Sequence, residues 1–245
     1  MIVLKSWLND WINISNIDDS NISEALESLG FEIESTNKIE PNYKNIVVGK
    51  VVDIYPHNNA DKLRITQVDV GSNTYEIVCG AWNFDVGAIV PVALPKSHIV
   101  DNFLIEKREI RGVVSNGMIC SARELGLWDE HEGILLLEDS LAPGTDFSST
   151  YDSQDTSWEI GITPNRGDCM SHLGVARELS NYFDIKISEN DFKLKSKIAN
   201  VLKTNSGKIA ECNSYVSIEI ENFNITDSPF YIRYRLSQVG TRIIN

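Results

Sequence analysis

Apolar residues recur at helical spacing near the start of the chain, in the segment "DSNISEALESLG". Four of them share one face of a predicted helix: Ile22, Ala25, Leu26 and Leu29. Ser20 or Asn21 is the expected N-cap, and Gly30 is expected to end the helix. The following "FEIES" alternates between apolar and polar residues, which is typical of a strand. The pattern therefore predicts a small α/β unit at the start.

A second amphipathic helix is predicted within the stretch "ITPNRGDCMSHLGVAREL", residues 162–179. Thr163 precedes a proline and is pushed out of helical geometry. Asp168 is the expected N-cap, because a carboxylate can accept the free N–H groups of a first turn. Gly174 would allow a close approach by a neighbouring element. The predicted buried stripe contains Leu173, Ala176, Leu179 and Tyr182 or Phe183.

Between these helices the pattern changes to short β-rich runs broken by Gly, Asn and Asp. From about residue 45 to residue 127 the runs are "NIVVGKVVDIY", "LRITQVDVG", "YEIVCGA", "AIVPVAL" and "FLIEKREIRGVVS". Five such runs without a helix of three turns between them favour a small barrel, and the OB-fold has five strands.

The end of the chain carries a further strand pattern, "SYVSIEIENF", and then a helix that begins at Ser228-Pro229 with proline at N1. One strand and one helix cannot bury their apolar faces alone. We therefore expect an α+β protein in which a five-stranded barrel at residues 41–150 lies between α/β segments at residues 1–40 and 151–195. Residues 196–245 would begin a third domain that is truncated.

Net charge, the lengths of the apolar runs and the spacing of the cysteines exclude several classes of function for this chain. The chain has 245 residues and a formal net charge of −13, which argues against strong non-specific nucleic-acid binding and against a DNA partner. It has no run of about 18 apolar residues and no signal-peptide pattern, so we expect no membrane association and a cytoplasmic location. Cys79, Cys120, Cys169 and Cys212 form no C-x-x-C pair, so we expect buried thiols and no metal site.

Three blocks in the middle of the chain resemble a known family. They are "HNNADKLRITQVDVG", "IVCGAWNFDVGAIVPVAL" and "IRGVVSNGMICSARELGL". In this order they resemble the tRNA-binding OB-fold shared by free tRNA-binding proteins, some methionyl-tRNA synthetases and the bacterial phenylalanyl-tRNA synthetase β subunit. Asn58 and Trp82 depart from it, since proline is usual at both positions. Lys62 and Arg64 are expected to project from one face of a strand. Lys107, Arg108 and Arg111 are expected to add positive charge at the rim of the barrel. The candidate tRNA-binding residues are Asn59, Lys62, Arg64, Lys107, Arg108, Arg111, Ser115, Met118 and Ser121.

The stretch "TPNRGDCMSHLGVARE" resembles a motif of the same β-subunit family, T-P-N-R-x-D-x-x-S-x-x-G-x-A-R-E. Ser171 and His172 are neighbours on a helix and point about 100° apart, so we predict no catalysis here. Arg166 would pair with an acid such as Glu159 or contact a partner domain, and His172 would be packed. His57, His98 and His131 are expected at the surface or in loops. The structural motif comprises Thr163, Pro164, Asn165, Arg166, Asp168, Ser171, Gly174, Arg177 and Glu178.

The resemblance covers the whole chain in order. It implies that the barrel is inserted into one α/β host domain made of residues 1–40 and 151–195, and that residues 196–245 are the truncated start of the family's editing domain. It also implies the following function. The family's holoenzyme is an α2β2 tetramer that joins phenylalanine to tRNA(Phe) using ATP and Mg²⁺, with the aminoacylation site on the α subunit. A chain matching only the first part of β would supply a tRNA-binding OB-fold and scaffold, bind no cofactor itself and lack a complete editing site. The alternatives are a standalone, non-catalytic tRNA-binding OB-fold protein and an interaction scaffold without an RNA role.

Overall fold

The computed structural model describes residues 1–188, 201–202, 217–218 and 224–244. The helices are α1 Lys5–Asn9, α2 Asp19–Ser28, α3 His172–Phe183 and α4 Phe230–Gln238. The strands are β1 Ile2–Leu4, β2 Glu32–Ile39, β3 Lys44–Pro56, β4 Arg64–Asp69, β5 Thr74–Cys79, β6 Ile89–Ile99, β7 Phe103–Leu104, β8 Arg108–Ile110, β9 Val113–Ser115, β10 Met118–Ile119, β11 Asp155–Gly161, β12 Val201–Leu202 and β13 Ser217–Ile218. Residues 1–188 and 228–244 form one compact unit, and residues 189–227 fall in another.

In the first unit, three strands form an antiparallel sheet with the order β1-β11-β2. Asp155 of β11 lies opposite Ile39 of β2, so the chain leaves this sheet after β2 and returns to it at β11. One core lies between this sheet and helices α1, α2 and α3. Its fully buried members include Leu8, Ile22, Leu26, Trp158, Val175 and Leu179.

The chain between β2 and β11 forms a six-stranded antiparallel sheet. Its order is β10-β6-β3-β4-β5, with β7 paired to the far end of β6. The N–H of Asn116 donates to the carbonyl of Glu76 at 2.8 Å, and that of Val78 donates to the Ser115 hydroxyl at 3.0 Å. These bonds bring β5 next to the segment between β9 and β10. The sheet has six strands where five were expected, and a closed five-stranded barrel stays a prediction.

Several cap predictions are corrected by the structure. Helix α2 begins after Asp18, so neither Ser20 nor Asn21 is its cap. Gly30 follows the helix with a φ of 86°, as predicted for a residue that ends one. Helix α4 begins after Pro229, which is the N-cap residue and not N1.

The predicted stripe of α3 is buried at Ala176 and Leu179, whereas Leu173 is half-buried. Phe183 packs against the core, while Tyr182 is exposed. Three cysteines are buried as predicted: Cys79, Cys120 and Cys169.

In the second unit, the described residues form a two-stranded antiparallel pair in which Val201 lies opposite Ile218. Cys212 and most of the predicted strand at 214–223 lie outside the described residues. The third domain therefore stays a prediction. Among the described helices, none combines the length and the apolar character needed to cross a membrane.

Candidate nucleic-acid interface

The loop that carries the "HNNADKL" motif packs against the β8–β9 hairpin. His57 was expected at the surface or in a loop; it lies in a loop, where only 5% of it is exposed. Its Nδ1 accepts from the N–H of Asn59 at 3.1 Å, and its Nε2 lies 3.2 Å from the carbonyl of Ile110. The Asn59 amide donates to the carbonyl of Arg111 at 3.2 Å. His57 therefore joins two motifs that are far apart in sequence.

Of the other histidines, His98 lies half-buried in β6 and His131 is exposed.

The hairpin turns at Arg111 and Gly112, whose φ angles are 50° and 91°. Two successive residues with positive φ form the tight turn that matches the twist of a two-stranded ribbon. The turn leaves Arg111 exposed, together with Lys107 and Arg108 on the way into it. Lys62 is also exposed, but it precedes β4 and does not lie on that strand. Four candidate cations are thus accessible to a ligand.

Arg64 has a different role from the one expected. It is 8% exposed, because Arg64, Thr66 and Val68 occupy the buried face of β4. Its guanidinium donates to the carbonyls of Ala81 and Phe84 at 2.8 and 3.2 Å. Its central carbon also lies 4.8 Å from the centroid of the Trp82 ring. Arg64 therefore holds the loop after β5 and is not a surface phosphate ligand.

The S-x-G-M-x-x-S motif supplies turn contacts. The Ser115 hydroxyl donates to the carbonyl of Gly117 at 2.9 Å while it accepts from β5. The Ser121 backbone N–H and hydroxyl both donate to the Glu124 carboxylate, at 2.6 and 2.8 Å, and the Glu124 N–H donates to the Ser121 hydroxyl at 3.3 Å. This reciprocal pair is a capping box that fixes the turn after β10. Both serine side chains are therefore already used within the fold.

Two cavities on this side of the sheet, of about 660 and 440 Å³, share Val78, Ile110 and Met118 in their linings. We call them together the basic groove. The larger cavity is also lined by Ser121 and Arg123, and the smaller by Ser115, Lys107 and Arg108. The groove thus brings together five of the nine candidate residues. Asn59, Lys62 and Arg111 lie outside its lining, and Arg64 is buried.

Two exposed apolar residues in the lining of the smaller cavity, Phe103 and Leu104, were not among the candidate residues. Alternation of apolar and polar residues does not identify them as exposed, because they form a strand of only two residues. Their exposure depends on how that strand pairs with β6. The surrounding segment is acidic, since residues 46–146 contain 8 Lys and Arg against 15 Asp and Glu. The linings of the groove hold Lys107, Arg108 and Arg123 against Glu106 and Glu124, so its excess of positive charge is small and local.

The second motif builds the start of helix α3. Asp168 was the expected N-cap, but Ser171 fills that position, and its hydroxyl accepts from the N–H of Gly174 at 3.1 Å. A Cβ on Gly174 would lie 2.0 Å from the carbonyl oxygen of Asp168, so only glycine fits. This close approach confirms the role predicted for Gly174. Thr163, Pro164 and Asn165 form the exposed turn before the helix, and Arg177 is exposed.

Arg166 pairs within this motif and not with Glu159. Its guanidinium lies 3.3 Å from Asp168 and 3.1 Å from Glu178, and it donates to the Cys169 sulfur at 2.9 Å. Burial, followed by the hydrogen bond to Asp168, raises the pKa of the Cys169 thiol to about 11. Asp168, Cys169 and Glu178 therefore converge on a cation that the chain itself supplies.

His172 is packed, as predicted. Its Nε2 accepts from the backbone N–H of Leu4 at 3.1 Å, and its ring stacks on Trp7 with centroids 4.1 Å apart. Burial lowers the pKa of the imidazole to about 4, and the nearby charge of Arg235 adds to the shift. Ser171 and His172 thus engage different parts of the fold, which does not suit a nucleophile and its base.

Comparison with known proteins agrees with these motifs. Residues 46–146 match the family model described as "Putative tRNA binding domain". The phenylalanine–tRNA ligase β subunit of Syntrophus aciditrophicus is 34% identical over 248 residues, covering 100% of this chain and 31% of that protein. The β subunit of Sulfurimonas denitrificans is 39% identical over 251 residues, covering 99% of this chain and 32% of that protein. The chain thus spans about a third of the length of the curated relatives it matches.

Among solved structures, the C-terminal domain of Plasmodium vivax p43 matches 41% of this chain and 56% of that chain, with 25% identity. Its TM-score of 0.31 is too low to establish a common fold.

The antiparallel sheet of the middle segment and its family match define the class: this is a mixed α/β protein that contains a tRNA-binding domain. The similarity extends well beyond that domain, to both ends of the chain. The chain is related over its full length to phenylalanine–tRNA ligase β subunits and corresponds to the N-terminal part of such a subunit.

Proposed function

We propose that this chain is the tRNA-binding and scaffold portion of a phenylalanine–tRNA ligase β subunit, whose complete enzyme attaches phenylalanine to its tRNA using ATP. The observation that carries the proposal is the similarity to these β subunits over 100% of the chain. A tRNA-binding module alone would account only for the match at residues 46–146.

Within this function, the middle segment acts as a five-stranded OB-type barrel that contacts tRNA through the exposed cations near the basic groove. The pairing of β2 with β11 supports an inserted barrel at 41–150 within a host domain of residues 1–40 and 151–195. Residues 196–245 begin an editing-type domain. The chain itself contributes binding and support. Its adjacent hydroxyl and imidazole are already used within the fold, since Ser171 caps helix α3 and His172 accepts from the N–H of Leu4.

The partners that follow are tRNA(Phe) and a ligase α subunit in an α2β2 assembly in the cytoplasm. Mg²⁺ and ATP are implied for the complete ligase, and we assign neither of them to residues of this chain. A standalone tRNA-binding protein is the second candidate, which the family match to residues 46–146 supports. The similarity of the remaining segments to β subunits favours the first candidate.

A salt titration of tRNA affinity tests the binding function. Each lost phosphate contact reduces the slope of log affinity against log salt by about 0.7–0.9. We expect a combined Lys107→Ala, Arg108→Ala and Arg111→Ala variant to weaken tRNA binding and to flatten this slope. Lys50→Ala is the matched control, because Lys50 is an exposed cation on β3 outside the groove lining. An unchanged slope in the triple variant would remove the groove from the tRNA contact.

A further inference from the structure

Two large aromatic side chains are exposed beside the basic groove. Trp82 is 62% exposed and Phe103 is 58% exposed. Phe103 lines the smaller cavity together with Lys107 and Arg108, and Trp82 directly follows a residue that lines the larger cavity, Ala81. Exposed aromatic rings next to cations form the combination that single-stranded nucleic acids recognise, because bases stack on rings while phosphates contact the cations.

Trp82 is held in place before any ligand arrives. The buried Arg64 guanidinium lies against its ring and bonds two carbonyls of the same loop. The neighbouring Asn83 fixes that loop a second time. Its amide donates to the carbonyl of Ile134 at 2.9 Å and its oxygen accepts from the Ile134 N–H at 3.0 Å. A ring fixed in this way loses little conformational freedom on binding, which favours affinity.

Phe103 is positioned by a hairpin at the end of β6. It pairs with Ile99, and the connection passes through Asp101 and Asn102 with φ angles of 59° and 54°. Asp and Asn tolerate this left-handed conformation better than other non-glycine residues. The hairpin therefore presents the ring at the groove without burying it.

We propose that the basic groove binds an unpaired stretch of RNA, with bases stacked on Trp82 and Phe103 and phosphates at Lys107 and Arg108. The proposal rests on the tRNA-binding function proposed above and specifies which part of an RNA is held. Only unpaired nucleotides offer free base faces along a strand, so a loop or a single-stranded end is the ligand and a continuous duplex is not. Glu106 also lines the smaller cavity, which disfavours a phosphate directly beside it.

Equilibrium binding of the whole chain to three probes tests the proposal. The probes are unfractionated tRNA, a short single-stranded oligoribonucleotide and a blunt-ended RNA duplex of equal length. We expect Trp82→Ala and Phe103→Ala each to weaken binding of the single strand by about 5- to 150-fold, the range that one lost base stack produces. Trp82→Phe keeps a ring and should bind within a few-fold of the parent chain. The single strand should also quench tryptophan emission in the parent chain more than in Trp82→Phe.

Tyr55→Ala is the control, since Tyr55 is 44% exposed on the same sheet but neither lines a cavity nor adjoins a residue that does. Thermal melting of each variant confirms that the fold is retained. Normal binding by both alanine variants, or a preference for the duplex, would overturn the stacking proposal while leaving tRNA binding in place. A parent chain that binds neither tRNA nor the single strand would instead overturn the proposed function, and stacking with it.

Discussion

At the scale of single residues, the environment of His172 fixes its protonation state. The Nε2 atom accepts a hydrogen bond from Leu4, which requires an unprotonated nitrogen, and the ring stacks on Trp7. Burial, with help from the charge of Arg235, lowers the pKa to about 4, while Asp10 opposes the shift. The fold therefore selects a neutral imidazole, and its stability should depend on pH through this group.

The sign of that dependence follows from proton binding. In the unfolded chain the imidazole titrates near 6.5, so between pH 6.5 and 4 the unfolded state takes up the proton and the folded state does not. The stability contributed by neutral His172 is complete above pH 6.5 and is lost as the pH falls toward 4. Between pH 7.5 and 5 we expect the parent chain to lose about 2 kcal/mol more than His172→Gln.

Urea unfolding of both proteins at the two pH values measures this difference. The carboxylates that titrate in the same range are common to both chains and cancel in the comparison. Equal losses in the two proteins would mean that His172 is not buried as a neutral acceptor.

At the scale of elements, the start of helix α3 depends on one close approach. The turn at Gly167–Cys169 places the carbonyl of Asp168 against Gly174, while Ser171 caps the helix. We expect Gly174→Ala to lower the free energy of unfolding by about 3 kcal/mol or more, since the added methyl must displace backbone. Gly167→Ala is the matched control, because nothing lies within 4 Å of its Cβ position and its φ is not positive. Chemical denaturation of both variants checks the prediction, and similar effects would contradict it.

Sequence pattern predicted the helices and strands of this chain better than the roles of individual side chains within them. The period of α2 and the alternation after it are local properties, so they were read correctly. The cap of α3 was missed because three capping residues precede it: Asn165, Asp168 and Ser171. Which of them caps depends on the contact at Gly174, and this contact exists only in the folded chain.

At the basic groove, too, the sequence predicted segments better than the roles of individual side chains. The sequence motifs include residues that line the groove, and four of the candidate cations are exposed. Arg64 was misplaced because its burial depends on a loop that follows the next strand, where Trp82 and Phe84 cover it. Phe103 was missed because two residues of strand are too short for any period. Both errors concern contacts between distant parts of the chain, which periodicity does not encode.

At the scale of the whole first unit, helix α4 contacts both the core beside the six-stranded sheet and the region of helix α1. Phe230 and Tyr234 pack into the core that includes Phe147 beside the six-stranded sheet. On the other side, Arg235 pairs with Asp10 after α1 and lies 5.7 Å from the centroid of the Trp7 ring. Residues 228–244 are therefore part of the core structure of this unit, although about 40 residues separate them from it in sequence.

This arrangement predicts that a single change in α4 destabilises the unit. We expect Phe230→Ala to lower the free energy of unfolding by about 3–5 kcal/mol, because it leaves a cavity among buried rings. Tyr231→Ala is the control on the same helix, since Tyr231 is 55% exposed and its loss should change stability by no more than about 0.5 kcal/mol. Calorimetric unfolding compares the two. If both variants unfolded like the parent chain, α4 would not pack on this core in solution, and the first unit would have to close its apolar surface at Phe147 in another way.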